Sequence, residues 1–525
     1  MPQADRLTST RHWHPPLASA TEWRLRSFHA GLLPGHVARF TLWRMGEMEL
    51  RDAGDGLPPA TRWKAMTAVA IAVSMSVLVG SIANVALPTI ADDMHVSPGA
   101  SIWVVNAYQL AVTVSLLPFA SLGDVYGHRR VYCWGLILYT AASLACALAP
   151  TFSTLVVARV LQGFGGAGIM SVNGALIRFI FPRAELGRGI GYNVLVVAGS
   201  SAAGPSVAAA IMAVASWPWL FAVQVPAGVL AIAMSLRYLP HSPLAGHRFD
   251  PWSAVLNAVT LALFITGLDG IGRGDAILLV FVQLAVCVTI GIVFVRRQRR
   301  LRAPMLPIDL FRRPVFALSV ATAICAHGAQ MIALIVLPFY FQYVSGMSPI
   351  EIGVLITPWP AALVIVAPIA GRLADRYSAG ILGGVGLAVM TAGLLLVLTM
   401  PADPARMDVA WRLAVCGLGF GFFQSPNNRL LIASAPPERA GAGSGMLSTA
   451  RLVGQTTGSA LVALVFGLTQ GDSGAIALGT HLSIGIAASA AASAMILSWM
   501  RVRPGASAAE GVAVHEPAPV RRTRR

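Results

Sequence analysis

Few side chains in this sequence could move a proton, hold a charge or work a gate inside an apolar medium. Arg159 stands about six residues into a continuous apolar run, roughly 9 Å deep at 1.5 Å per helical residue. A guanidinium there is costly unless it meets water or a partner, so Arg159 is either a functional-site residue or a buried hydrogen-bond anchor between helices. His327 lies near the middle of another run, with Gln330 about one turn later. Histidine titrates near neutral pH, which makes His327 either a proton carrier or a satisfied structural histidine. Asn106 with Gln109, Gln424 with Asn428 and Arg451 with Gln455 are spaced to share a helical face. They either line a cavity or bond helix to helix. Gly204 and Pro205, set among Ser and Ala, suit a bent, closely packed hinge helix. Asp124 close to Arg129 and Arg130 in a short loop can exchange salt-bridge and helix-end partners, as a cytoplasmic gate would, and Asp375 with Arg376 is a partial second copy. No Asp or Glu lies well inside an apolar run; Asp269 comes closest.

The elements that must position these residues are membrane helices. Of 525 residues, 56% are hydrophobic and 11% charged, with mean hydropathy +0.69. A soluble domain carries roughly a quarter charged residues. Apolar runs of roughly 20 residues recur about fourteen times between 65 and 499, each long enough to cross a hydrocarbon core about 30 Å thick. They are continuous rather than alternating, which predicts an all-α polytopic membrane protein and no barrel. The lipid bilayer is thus an expected partner. The net charge of +16 does not mark a nucleic-acid binder, because Lys64 is the single lysine and the arginines are dispersed among the loops.

Basic residues in short loops mark the cytoplasmic side. With both termini inside, the cytoplasmic segments hold Arg129, Arg130, Arg178, Arg183, Arg188, the cluster from Arg296 to Arg300, Arg372, Arg376, Arg429 and Arg439. The alternate loops hold Asp92, Asp93, Asp275, Glu351, Asp403, Asp408 and Asp472. The expected location is a cytoplasmic (inner) membrane with both termini cytoplasmic. Residues 1–63 read as a basic cytoplasmic tail or a start placed upstream of Met45 or Met48, and 501–525 as a second disordered tail. The stretch from Trp23 to Phe28 could instead lie on an anionic leaflet. Cys133, Cys146, Cys287, Cys325 and Cys416 fall within the runs without metal-type spacing and are expected to pack; no metal or cofactor is implied.

An internal repeat organises the runs. Ala120 to Asp124 recurs as Gly371 to Asp375, offset by 251 residues, and Gly163-Phe164-Gly165 pairs with Gly419-Phe420-Gly421 at about 256. This predicts two parallel six-helix halves, 64–240 and 314–500, with two extra helices at 250–296 between them. Such halves serve alternating-access transporters, with a site between them near the midplane. There is no HExxH, serine nucleophile elbow, Cys/His cluster or nucleotide loop, so an enzyme is not expected.

The loop Leu122-Gly123-Asp124-Val125-Tyr126-Gly127-His128-Arg129-Arg130 resembles the signature loop of the major facilitator superfamily. Arg159 to Gly163 resembles its fourth-helix arginine motif, and Gly204-Pro205 its fifth-helix antiporter motif. Asn84 to Pro88, Trp217 to Phe221 with Pro226, and Pro437 to Gly441 through Ser444-Gly445 are similar to its fourteen-span drug:proton antiporter branch. The resemblance implies the family fold, a role for Arg159 in substrate or proton coupling, and proton-driven efflux of small hydrophobic or toxic compounds by a monomer. The family's leading glycine is Ala120 here, and the basic residue expected after Asp124 is Val125. The first-helix aspartate that this branch often carries is Val79, which favours neutral, amphipathic or anionic cargo over permanent cations. Import or export of an anionic metabolite on the same fold is the alternative, suggested by Arg159 and Arg451; a non-transporting sensor is the remaining class.

Overall fold

A backbone surrounded by hydrocarbon must satisfy its own hydrogen bonds, and this chain does so with helices alone. The computed structural model describes residues 56–502 apart from 183–184, 241, 243–248, 274, 302–307, 375, 402–403, 435–439, 470 and 472, with no strand among them. The expected N-terminal tail to residue 55, its Trp23 to Phe28 stretch, the C-terminal tail from 503, Asp375, Asp403, Asp472, Arg183 and Pro437 to Arg439 lie outside the described residues. The side chains of Asp269 and Ser444 do too.

The first six long helices are α1 (Pro59–Asp93), α2 (Pro98–Tyr126), α3 (His128–Ala147), α4 (Phe152–Ile180), α5 (Leu186–Met212) and α6 (Trp219–Tyr238). Two more, α7 (Pro251–Arg273) and α8 (Ile277–Gln298), form a hairpin. The last six are α9 (Pro314–Tyr343), α10 (Pro349–Leu373), α11 (Ala379–Leu398), α12 (Arg406–Ala433), α13 (Ala440–Leu468) and α14 (Ser473–Trp499). Thirteen of these are long and apolar enough to cross a membrane; the exception, α12, carries Arg412, Gln424, Asn427, Asn428 and Arg429. The exposed tryptophans Trp63, Trp219, Trp252, Trp411 and Trp499 lie within two turns of a helix end, where amphipathic rings favour the membrane interface. The protein is a multi-pass membrane protein.

Packing repeats between the halves with a shift of eight elements. α3 packs on α4 as α11 packs on α12, α2 on α4 as α10 on α12, α1 on α5 as α9 on α13, and α1 on α6 as α9 on α14. Glycines set the closest approaches. A Cβ on Gly163 would lie 2.6 Å from the Tyr108 carbonyl oxygen, and one on Gly417 2.1 Å from that of Trp359. Likewise Gly165 faces the Tyr139 amide nitrogen at 2.4 Å and Gly419 faces that of Met390 at 2.3 Å. Tyr108 and Trp359, like Tyr139 and Met390, are 251 positions apart, whereas the paired glycines are 254 apart. The fourth helix of each half is therefore matched as Gly163 with Gly417, which corrects the offset of about 256 expected from the shared Gly-Phe-Gly string. The local letters agreed two residues out of register with the surfaces that touch.

The halves meet along two seams, α5 with α10 and α2 with α13, and α1 packs on α9 between them. The hairpin helix α7 packs on both α2 and α13, with Asn257 Nδ2 donating to the Val114 carbonyl at 3.1 Å. At the start of α7 Arg297 grips Asp250 through Nε (3.1 Å) and Nη2 (2.9 Å), while Ser253 Oγ donates to the same carboxylate at 2.7 Å. Burial works against ionising Asp250, but these hydrogen bonds outweigh it and hold its carboxyl below the ordinary range.

Candidate functional site

The polar residues singled out by spacing fall into two groups, those already bonded within one half and those that face space between helices. Arg159 belongs to the first. It is fully buried in the N-terminal half, with Nε donating to the Val104 carbonyl at 2.7 Å and Nη1 to Gln162 Oε1 at 2.5 Å. Its Cζ stands 4.5 Å from the Tyr108 ring centroid and 5.5 Å from that of Phe221, and Gln162 Nε2 continues the chain of bonds to Ser143 at 2.8 Å. The planar fork and aromatic stacking suit arginine over lysine. Its Nη2 is buried without a hydrogen-bond partner among the described residues.

His327 is also buried. Its Nδ1 pairs with the Ala323 carbonyl at 2.8 Å, and its ring sits edge-on to Phe420 (5.2 Å) and Phe423 (6.4 Å) of α12. Its Nε2 has no partner among the described residues. Val79, where the resemblance implies an aspartate, is fully buried in the apolar core.

Between the halves lies a small cavity of about 30 Å³, room for about two water molecules in this closed state. Its walls come from α1 (Ser81, Asn84, Val85), α5 (Ser201, Pro205), α9 (Gln330, Leu334) and α10, which supplies Trp359. Asn84 Oδ1 and Trp359 Nε1 are buried without a hydrogen-bond partner among the described residues. Of the residues expected in the pathway, the structure places Gln330 on this wall, beside Trp359. Asn106 is fully buried on α2 with neither amide atom bonded among the described residues. Gln109, Arg451 and Gln455 make no side-chain hydrogen bond among the described residues, and Arg451 and Gln455 are half-buried.

The antiporter-motif pair packs as its residue types require. A Cβ on Gly204 would lie 2.3 Å from Ser81 Cβ on α1, and the Pro205 carbonyl oxygen lies 2.7 Å from where Gly353 of α10 would carry one. Next to it Ser206 Oγ and Thr357 Oγ1 are 2.9 Å apart. The other seam is joined by Thr113 Oγ1 and Thr456 Oγ1 at 3.0 Å. At the end expected to face outside, Asp92 accepts from Tyr343 (2.6 Å) and Gln342 (3.0 Å), while Asp93 accepts from Trp217 Nε1 at 2.7 Å. Sequence reading took Asp92 only as a mark of sidedness; the clasp to α9 had no local signal.

At the opposite end, Asp124 pairs with His128 Nε2 at 3.2 Å. Neither Arg129 nor Arg130, the partners its spacing suggested, makes that pair. Gly127, at φ +99°, ends α2 and starts α3 so that His128 comes round one turn beyond Asp124. Arg129 instead donates to the Leu236 carbonyl of α6, and Arg376 is exposed. Arg501, the first residue of the expected tail, is buried, donating to Asn427 Oδ1 (2.6 Å), Ser319 Oγ (3.0 Å) and Ser498 Oγ (2.5 Å). No group of three or more His, Cys, Asp or Glu able to hold a metal occurs among the described residues.

The sequence family described as Major Facilitator Superfamily matches residues 69–459. Over 451 residues the chain is 51% identical to "Uncharacterized transporter YebQ" of Escherichia coli (strain K12), covering 85% of this chain and 97% of that one. It is 30% identical to "Riboflavin transporter RibZ" of Clostridioides difficile (strain 630), across 77% of this chain and 88% of the other. It is 32% identical to "Multidrug resistance protein Stp" of Mycobacterium tuberculosis (strain CDC 1551 / Oshkosh), across 77% and 76%.

Proposed function

Because this chain belongs to the major facilitator superfamily of secondary transporters, we propose that it carries small, largely apolar compounds out of the cell in exchange for protons, by alternating access. The observation that carries the reading is the placement of contacts between the halves. Asp92 with Tyr343 and Ser206 with Thr357 close the side assigned to the exterior, and the cavity lined by Asn84, Gln330 and Trp359 lies between the same helices. Rocking of one half on the other would break those bonds and open the cavity to the far side. The cavity wall is mostly apolar with a few unused donors and acceptors, which suits compounds that are themselves mostly apolar. Relatives named as a multidrug resistance protein and as a riboflavin transporter are in keeping with small organic cargo. The working unit is a monomer with both termini in the cytoplasm.

Purified protein in liposomes with an imposed pH gradient tests the reading. Movement of hydrophobic dyes together with collapse of the gradient is expected; neither occurring would end the antiporter assignment. Depletion of the same compounds from whole cells is expected, and accumulation would reverse the direction.

A further inference from the structure

Arg159 and Arg451 both stand well away from helix ends, and their bonding differs. Arg159 donates through Nε to Val104 and through Nη1 to Gln162 and stacks on Tyr108 and Phe221, with Nη2 left unbonded among the described residues. Arg451, on α13, has neither a hydrogen bond nor an ion pair among the described residues. From 445 to 467 no residue of α13 is exposed, because α9, α2 and α7 surround it. Arg451 is half-buried among these helices. Gln455, one turn further along α13, and Gln109 of α2 likewise leave their amide groups unbonded among the described residues.

No described carboxylate is placed to neutralise it. Asp92, Asp93, Asp124, Glu185, Asp250, Asp275, Asp309, Glu351 and Asp408 stand at or beyond the ends of the long helices. A guanidinium held away from bulk water without a counter-charge is expensive, and an anion entering from solution lowers that cost. A cation entering the same space meets repulsion instead. The flat fork of a guanidinium matches a carboxylate or sulfonate through two parallel bonds.

Resting on the transport reading above, we infer that Arg451 sets the charge of the cargo: the compound carried is an amphipathic organic anion, a carboxylate, sulfonate or enolate on an apolar body, with its acidic group on Arg451 and further polar atoms on Gln109 or Gln455. The anionic group compensates the arginine while it is bound, so loaded and empty carriers differ in charge at the seam between α2 and α13.

The test uses the full-length protein in lipid nanodiscs and a matched pair of probes, 2-naphthoate and its methyl ester, titrated by calorimetry. The acid is expected to bind more tightly than the ester, and Arg451→Gln to remove that preference by about tenfold to a hundredfold while leaving ester binding in place. Arg451→Lys keeps the charge without the fork and is expected to retain part of the preference. Ester binding equal to acid binding in the unaltered protein, binding of neither probe, or equal loss of both in Arg451→Gln would overturn the inference. Binding as expected with no gradient-driven movement of either probe would instead remove the transport reading and leave the anion site standing.

Discussion

The Tyr343 hydroxyl donates to Asp92 Oδ1 across 2.6 Å, joining the ends of α9 and α1 that belong to different halves of the protein. A hydrogen bond to a charged acceptor is worth about 1.5 to 3 kcal/mol, so its loss shifts an equilibrium between two states by roughly tenfold or more. Tyr343→Phe is expected to populate the state open at that end. The readout is labelling of a cysteine placed at Thr456 by an impermeant maleimide added outside; unchanged labelling would show that the clasp does not hold the seam.

Two glycine substitutions that look alike are expected to act differently. Gly204→Leu drives a side chain into Ser81 of the same half, so it lowers thermal stability by overpacking, which costs about 1 to 3 kcal/mol. Gly353→Leu instead meets Pro205 and Ala209 across the α5 and α10 seam. It is expected to fold normally and lose transport, because the outer seam cannot close. Thermal unfolding together with dye transport separates the two effects.

Arg159→Lys is expected to unfold at lower temperature. It leaves the Val104 carbonyl or the Gln162 amide oxygen short of a donor, at a cost of about 1 to 3 kcal/mol. Arg451→Gln removes no bond within the described protein and is expected to melt with the unaltered chain. Equal losses of stability would show that both arginines are anchors.

His327→Gln is expected to leave the pH dependence of transport unchanged, since Nδ1 is committed to Ala323 and the ring is enclosed by Phe420 and Phe423. A flattened pH profile would return His327 to the role of proton carrier.

The Asp250 and Arg297 link predicts a pH effect of definite sign. The carboxyl is held below its ordinary value in the folded protein, so its stabilising contribution is full above the unfolded value of about 3.9 and is lost as pH falls through the folded one. Asp250→Asn should therefore lower the melting temperature at neutral pH, with the difference narrowing under strong acid. A difference independent of pH would assign the effect to Ser253 packing alone.

What the sequence makes legible is what apolar length and short-range spacing encode. The helices and the extra hairpin follow from these. The contacts that hold the halves shut do not. Asp92 and Tyr343 are 251 positions apart with no local pattern to join them. Asp124 reads as a partner of Arg129 and Arg130, yet the turn at Gly127 gives it His128. Arg501 reads as tail because arginine follows a span end, whereas Asn427, Ser319 and Ser498 make a place for it. The Gly-Phe-Gly strings suggest one register and the closest helix approaches require another, because packing reads surfaces in three dimensions and ignores repeated letters.

The hairpin leaves the two seams unequal toward lipid. On one side α7 stands across both α2 and α13, and α8 beyond it turns Ile277, Leu278, Leu279 and Phe281 outward. On the other, no further described element packs over α5 and α10. The seam at Pro205 and Gly353 is thus the one that borders lipid directly, and the opposite flank is roofed.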